Sequence, residues 1–224
     1  MLTVLECVAR EGPVSAADVS RICDINRTVA HRLLTTLAQR AYIRRDTGGY
    51  KLGPALLQLT MGIETDLRST AKPVMAKLAL ETGETVVLHG IANAEAVVID
   101  QALGQKHLVR VEHRPGSRHS LLTGASGWSL LAFQDDKHID RVLKKAPYPD
   151  QARERLAATR SKGYAISHDE LQLGVHGLAV PIVEKSGRCE ASLGILVPAV
   201  RSDLLSSFIQ PLLDGAKEIS RSLS

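Results

Sequence analysis

Residues 26–52 leave the chain little choice of local structure. Val29, Ala30, Leu33, Leu34 and Leu37 gather on one side of a 3.6-residue repeat, while Arg27, Thr28, His31, Arg32 and Thr35 gather on the other. Asn26 stands just before this run, and its short polar side chain suits the free amides of a first helical turn. After Arg40 the period changes. Tyr42-Ile43-Arg44-Arg45 and Tyr50-Lys51-Leu52 are short strand-like runs separated by Asp46-Thr47-Gly48-Gly49, whose glycines fit a hairpin turn. Two helices are expected upstream. One runs from Leu2 to Ala9 and is stopped by Gly12-Pro13; the other runs from Ser15 to about Cys23, with Ser15 and Asp18 at capping-box spacing. Three helices followed by a hairpin make a winged helix-turn-helix, expected over residues 1–53.

Beyond it, Pro54 can occupy a first helical turn. Leu56, Leu57, Leu59, Met61 and Ile63 then form an apolar stripe running into polar Glu64 to Ser69, which reads as a linker helix over 54–70. The remainder, 71–224, mixes helices and strands, so the chain as a whole is expected to be α+β. Pro73 is expected to open a helix that Gly83 closes. Strands are expected at Thr85–His89, Ala96–Ala102, Leu108–Glu112, Tyr164–Ser167, Gly177–Val183 and Ala191–Val197. Helices are expected at Ser126–Phe133, Asp136–Lys144, Gln151–Lys162 and Asp203 to about Ser222.

Charge singles out the first segment. Residues 1–60 hold eight Lys or Arg against five acids, an excess of three out of the net +4 of the chain. A polyanion is therefore expected to dock there. Aromatic residues are 3% of the sequence, too few for a platform of stacked single-stranded bases. Cys7, Cys23 and Cys189 form no C-x-x-C pair and read as isolated buried thiols. No leader and no long apolar stretch is seen, so a cytoplasmic protein with no membrane partner is expected. Neither a metal-spaced cluster nor a G-x-S-x-G elbow is present, so no metal, cofactor or catalytic residue is expected.

Three stretches carry a family likeness. Arg27-Thr-Val-Ala-His-Arg-Leu-Leu-Thr-Thr-Leu, Tyr42-Ile-Arg-Arg-Asp and Gly49-Tyr-Lys-Leu-Gly53 resemble the DNA-binding half of IclR-type bacterial transcription regulators. Gly124-Ala-Ser-Gly-Trp-Ser-Leu-Leu-Ala132, Gly163-Tyr-Ala-Ile-Ser167 with Glu170, and Gly174-Val-His-Gly-Leu-Ala-Val-Pro181 resemble the sensor half of the same family. The resemblance implies a GAF-like α/β sensor domain that binds a small metabolite, and dimers or tetramers that bind operator DNA.

Candidate residues follow. Asn26, Arg27, Thr28, His31, Arg32 and Thr35 sit where a third helix reaches base edges in the major groove. Arg44, Arg45 and Lys51 of the wing suit phosphate contact. Gly124 and Ala125 precede a helix, so their amides are expected to hold a carboxylate. The resemblance adds Leu122, Ser167, Gly177, Gly194 and Leu196 to the same cavity. Leu122, Gly177, Gly194 and Leu196 stand where relatives tend to carry His, Cys or Ser, and Trp128 replaces a usual basic residue. Loss of polar side chains favours an effector with an apolar or aromatic body. The expected partners are double-stranded operator DNA, a small-molecule effector and a second copy, as homodimer or homotetramer. The alternatives are a sensor domain with small-molecule enzymatic activity and an architectural DNA binder without effector.

Overall fold

The amphipathic patterns of the first 61 residues become a three-helix core with a hairpin. The protein is seen in a computed structural model that describes residues 1–61, 66–184 and 187–223. It divides into two units, Met1–Thr65 and Asp66–Ser224. In the first, α1 (Leu2–Glu11), α2 (Ala16–Ile22) and α3 (Arg27–Gln39) enclose Val4, Cys7, Val8, Val19, Ala30, Leu34 and Leu37. Both expected caps form. The Ser15 hydroxyl accepts the Asp18 amide at 3.2 Å while the Asp18 carboxylate accepts the Ser15 amide at 3.1 Å. Asn26 Oδ1 accepts the Thr28 amide at 2.8 Å. Each such cap stabilises a helix by about 1 kcal/mol. Val29, grouped with the apolar side above, is 45% exposed, because the inward sector of α3 is held by Ala30, Leu34 and Leu37.

The wing is β1 (Ile43–Asp46) paired with β2 (Gly49–Leu52), in the register Arg44 opposite Lys51 and Arg45 opposite Tyr50. Val14 and Tyr50 exchange backbone bonds of 3.0 and 2.7 Å, which tie the wing to the α1–α2 connection. Gly49 is needed there: its φ is +132°, and a Cβ would lie 2.4 Å from the Val14 carbonyl oxygen. α4 (Ala55–Met61) follows, while Ile63 and Glu64 of the expected linker lie outside the described residues. Cys7 and Cys23, far apart in sequence, meet in this core. The Cys7 thiol is pushed up by burial and by the adjoining Cys23 thiol, and all three cysteines are free.

The second unit is a six-stranded sheet with helices on both faces. Its elements are α5 (Asp66–Thr82), β3 (Thr85–Ala92), β4 (Glu95–Ala102), β5 (Arg118–Ser120), α6 (Gly124–Ala132), α7 (Asp136–Leu143), α8 (Pro149–Lys162), β6 (Ala165–His168), β7 (Val175–Val183), β8 (Cys189–Pro198), a 3-10 segment (Ala199–Phe208) and α9 (Ile209–Ser222). The strand order is β5-β4-β3-β8-β7-β6, with every neighbouring pair antiparallel. Alternation along the strands separates two faces. Val86, Leu88, Leu178, Val180, Leu193, Ile195 and Val197 pack against Val74, Met75 and Leu78 of α5 and Leu212 and Ile219 of α9. The other face receives α6, with α7 and α8 in the same apolar cluster. Here Gly177, Ala179, Ser192 and Gly194 contribute little side-chain volume, and a space remains between sheet and helix.

Three expectations fail, and one strand stands where none was expected, for local physical reasons. Pro73 lies inside α5 instead of opening it. The apolar side Ala71, Val74, Met75, Leu78 and Ala79 holds the helix against the sheet through the missing amide donor. Leu108–Glu112 is not a strand: the outer edge of β4 is already bonded to Gly116, Ser117 and β5, which leaves Leu108 and Val109 exposed. β5 itself, Arg118-His119-Ser120, has no apolar alternation to announce it. The final helix does not begin at Asp203, because the chain runs as a 3-10 segment from Ala199 with a kink at Arg201.

Candidate functional site

On the first unit, α3 presents Arg27, Thr28, His31 and Arg32 to solvent. Among the described residues Arg27, Arg32, Arg44 and Arg45 enter no ion pair, so their guanidinium groups are available to a polyanion. Two of the expected side chains are already engaged. Asn26 caps the Thr28 amide, and the half-buried Thr35 hydroxyl donates to the His31 carbonyl at 2.9 Å. The wing register also splits the basic trio. Arg44 and Lys51 face one side of the ribbon and Arg45 the other. Lys51 is paired with Asp46 and holds that carboxyl below its ordinary value.

The second unit holds a narrow cavity, with about 20 Å³ open to a water-sized sphere, between α6 and the face of the sheet that carries Gly177 and Gly194. Ala125, Ser167, Gly177, Gly194 and Leu196 line it together with Leu171, Val175, His89 and His113. Leu122 does not. It lies ahead of α6 and lines a separate depression with Asn93, Glu95 and Lys145.

The amides expected to be free at the start of α6 are occupied. The Gly124 N–H donates to Glu170 Oε2 at 2.8 Å, and the Ala125 N–H donates to Ser167 Oγ at 3.0 Å. Glu170 also accepts Trp128 Nε1–H at 3.0 Å and pairs with Arg155 at 2.5 Å. The Arg155 guanidinium lies 4.4 Å over the Trp128 ring. The chain thus places its own carboxylate at the positive end of α6. Arg155 brings a positive charge to this carboxylate from α8.

Sequence reasoning missed the polar end of the cavity. His89, His113 and His119 cluster with ring centroids 6.1 Å apart for His89 and His113 and 5.4 Å apart for His89 and His119. His119 is anchored, with Nε2 3.1 Å from Ser126 Oγ. His89 is 2% exposed, and among the described residues neither of its ring nitrogens, nor Nδ1 of His113, nor the Ser192 hydroxyl has a hydrogen-bond partner. An unpaired buried polar group costs about 1–3 kcal/mol, so these atoms are placed to bond a polar group in the cavity. Burial first, then His119 and His113, lower the His89 imidazole well below its usual range; burial lowers His113 and His119 as well. The one available signal was a titratable residue closing the apolar run Val86-Val87-Leu88.

Among the described residues no group of His, Cys, Asp and Glu is placed to hold a metal ion, and no helix is long and apolar enough to cross a membrane.

A basic winged helix-turn-helix joined to an α/β domain with an internal cavity is the architecture of a DNA-binding transcription regulator. The IclR helix-turn-helix domain matches residues 1–47, and the C-terminal domain of the bacterial transcriptional regulator IclR matches residues 63–221. The chain belongs to the IclR family. It is 27% identical over 235 aligned positions to the HTH-type transcriptional regulator BhcR of Paracoccus denitrificans, covering 98% of this chain and 84% of that one. An IclR transcriptional regulator from Alicyclobacillus acidocaldarius superposes with a TM-score of 0.87 at 24% identity, over 100% of this chain and 96% of that one. An IclR homolog from Microbacterium hydrocarbonoxydans, crystallised with 4-hydroxybenzoate, gives a TM-score of 0.87 at 22% identity, over 99% and 96% of the two chains.

Proposed function

We propose that this regulator binds a specific duplex operator as a homodimer or larger oligomer, and that a small acid with an apolar or aromatic body modulates that binding from the sensor cavity. The observation that carries the effector class is the cavity wall. Gly177, Gly194, Leu196, Val175 and Leu171 offer shape and apolar surface, with few polar side chains among them. The 4-hydroxybenzoate bound by the Microbacterium homolog is an acid of this kind. The test is to select bound sequences from a random duplex pool, then titrate aromatic acids, glyoxylate and pyruvate against the selected complex. An aromatic acid should shift operator binding at lower concentration than either keto acid, and the reverse order would overturn the effector class.

On DNA, Arg27 and Arg32 are proposed to reach base edges from α3, and Arg44 and Arg45 to contact phosphates. Arg27→Ala or Arg32→Ala should relax preference at one operator position at a cost of about 1–3 kcal/mol, whereas Arg45→Ala should weaken operator and random duplex alike. Binding should also fall steeply with salt, because each neutralised phosphate releases counterions. Competition titrations across a salt series check both points; equal losses on operator and random duplex for all three variants would remove the division of roles.

One recognition helix reads too few base pairs for a unique site, which is the argument for a two-fold assembly. The stripe on α4 is its proposed contact, with Leu57 and Leu59 68% and 52% exposed. Light scattering at micromolar concentration should give at least twice the chain mass, and a monomer would overturn the assembly.

A further inference from the structure

We propose that the effector's carboxylate docks between His89 and His113 and enters together with one proton, which an imidazole keeps while the complex lasts. This rests on the cavity reading above and says how the acid's head is held there. Three observations lead to it. The start of α6 already has its carboxylate, Glu170, on the Gly124 amide, so an incoming anion finds that position filled. The cavity's other wall bears His89, buried to 2% exposure with both ring nitrogens unpartnered, and His113, whose Nδ1 is also unpartnered. Both rings line the cavity, and their centroids are 6.1 Å apart at an interplanar angle of 81°, a separation that lets one carboxylate meet both.

The proton follows from the surroundings. The titratable groups that bear on His89 are His119 from β5 and His113 from the loop before it. β8 adds only the neutral Ser192 opposite His89, and α6 adds Ser126. Glu95 acts on His119. Burial and two imidazoles disfavour the charged form of His89. A carboxylate beside it reverses the balance, since an anion within hydrogen-bond reach favours imidazolium. One proton is taken from solvent, an N–H on each ring can donate to a carboxylate oxygen, and no covalent bond changes. Because the complex binds more protons than its separated parts, affinity rises as pH falls.

Calorimetric titration of the full chain with benzoate, in two buffers of different ionisation enthalpy, tests this, with benzamide as the neutral isostere. Expected are uptake of close to one proton, affinity at least about tenfold tighter at about pH 6 than at about pH 8, and much weaker binding of benzamide. His89→Gln should abolish the proton uptake and flatten the pH profile, and His113→Gln should weaken binding. The uptake in the unmodified chain is a readout that needs no variant to fold. Benzoate binding with no proton exchange, or equal binding of benzamide, overturns the histidine head site and leaves the aromatic-acid cavity standing. If neither benzoate nor any other aromatic acid binds, the effector reading and this inference fall together.

Discussion

Gly177→Phe is expected to abolish the effector's influence on DNA while leaving operator affinity unchanged. Gly177 lies on β7 beneath α6, and a Cβ placed there would meet Ser167 Oγ at 3.1 Å, Ala125 Cβ at 3.5 Å and Leu196 Cδ2 at 3.5 Å. All three of these neighbours line the cavity with Gly177, so a ring at this position should fill it. The added bulk should cost the second unit about 1–3 kcal/mol through overpacking, which a well-buried sheet can bear. Effector affinity should fall by about 100-fold, equivalent to about 2.7 kcal/mol. Gly177→Ala is the graded control, because its methyl takes part of the space and should lower affinity without abolishing it. Calorimetry reads the ligand and competition titration reads the operator, with circular dichroism checking the fold. A Phe variant that keeps its effector response would show that the ligand sits elsewhere.

Arg201→Ala should produce the largest loss of stability. Glu84 is fully buried at the start of β3, and its carboxylate receives Arg201 Nε–H at 2.5 Å and Nη2–H at 2.9 Å from the 3-10 segment. Arg201 Nη2 also donates to the Val109 carbonyl at 2.9 Å, so one guanidinium fastens three segments. Removing it strands a buried carboxylate with the His107 ring 3.8 Å away. Breaking one side of a buried pair costs about 3–5 kcal/mol. The Arg201 side chain is 17% exposed, which lets water soften the loss, so about 3 kcal/mol is expected. For a unit of this size that lowers the melting temperature by roughly 6–12 °C. Glu84→Leu combined with Arg201→Met should recover most of the loss, since an apolar pair leaves no stranded charge. If the double variant is as unstable as Arg201→Ala, lost packing rather than the buried charge is the cause.

Local signals carried the DNA-binding unit. Ser15 and Asp18 cap each other across three residues, Asn26 caps two residues on, and Gly49 marks the turn it makes. The sensor cavity depends on long-range meetings that no short window contains. Glu170 reaches Gly124, Ser167 reaches Ala125 and Arg201 reaches Glu84 across large sequence separations. Family likeness pointed to Ser167, Gly177, Gly194 and Leu196. It gave no reason to expect that the α6 amides were already engaged, because the bond depends on where the loop after β6 lands. His89, His113 and His119 are scattered single residues in sequence, and only the β3–β4–β5 pairing gathers them. Pro73 misled because the helix-breaking tendency of a single proline is weaker than the packing of a whole helix face against the sheet.

The two-faced sheet also bears on how such a regulator changes over generations. Along β8, residues that shape the cavity alternate with residues that hold the core: Gly194 precedes Ile195, and Leu196 precedes Val197. Neighbours in the gene therefore answer to different selective pressures. A single codon change at 194 or 196 can reshape the cavity wall while Ile195 and Val197 keep the fold as it was. The cavity wall is the part most open to drift here, and the scaffold behind it is the part best protected.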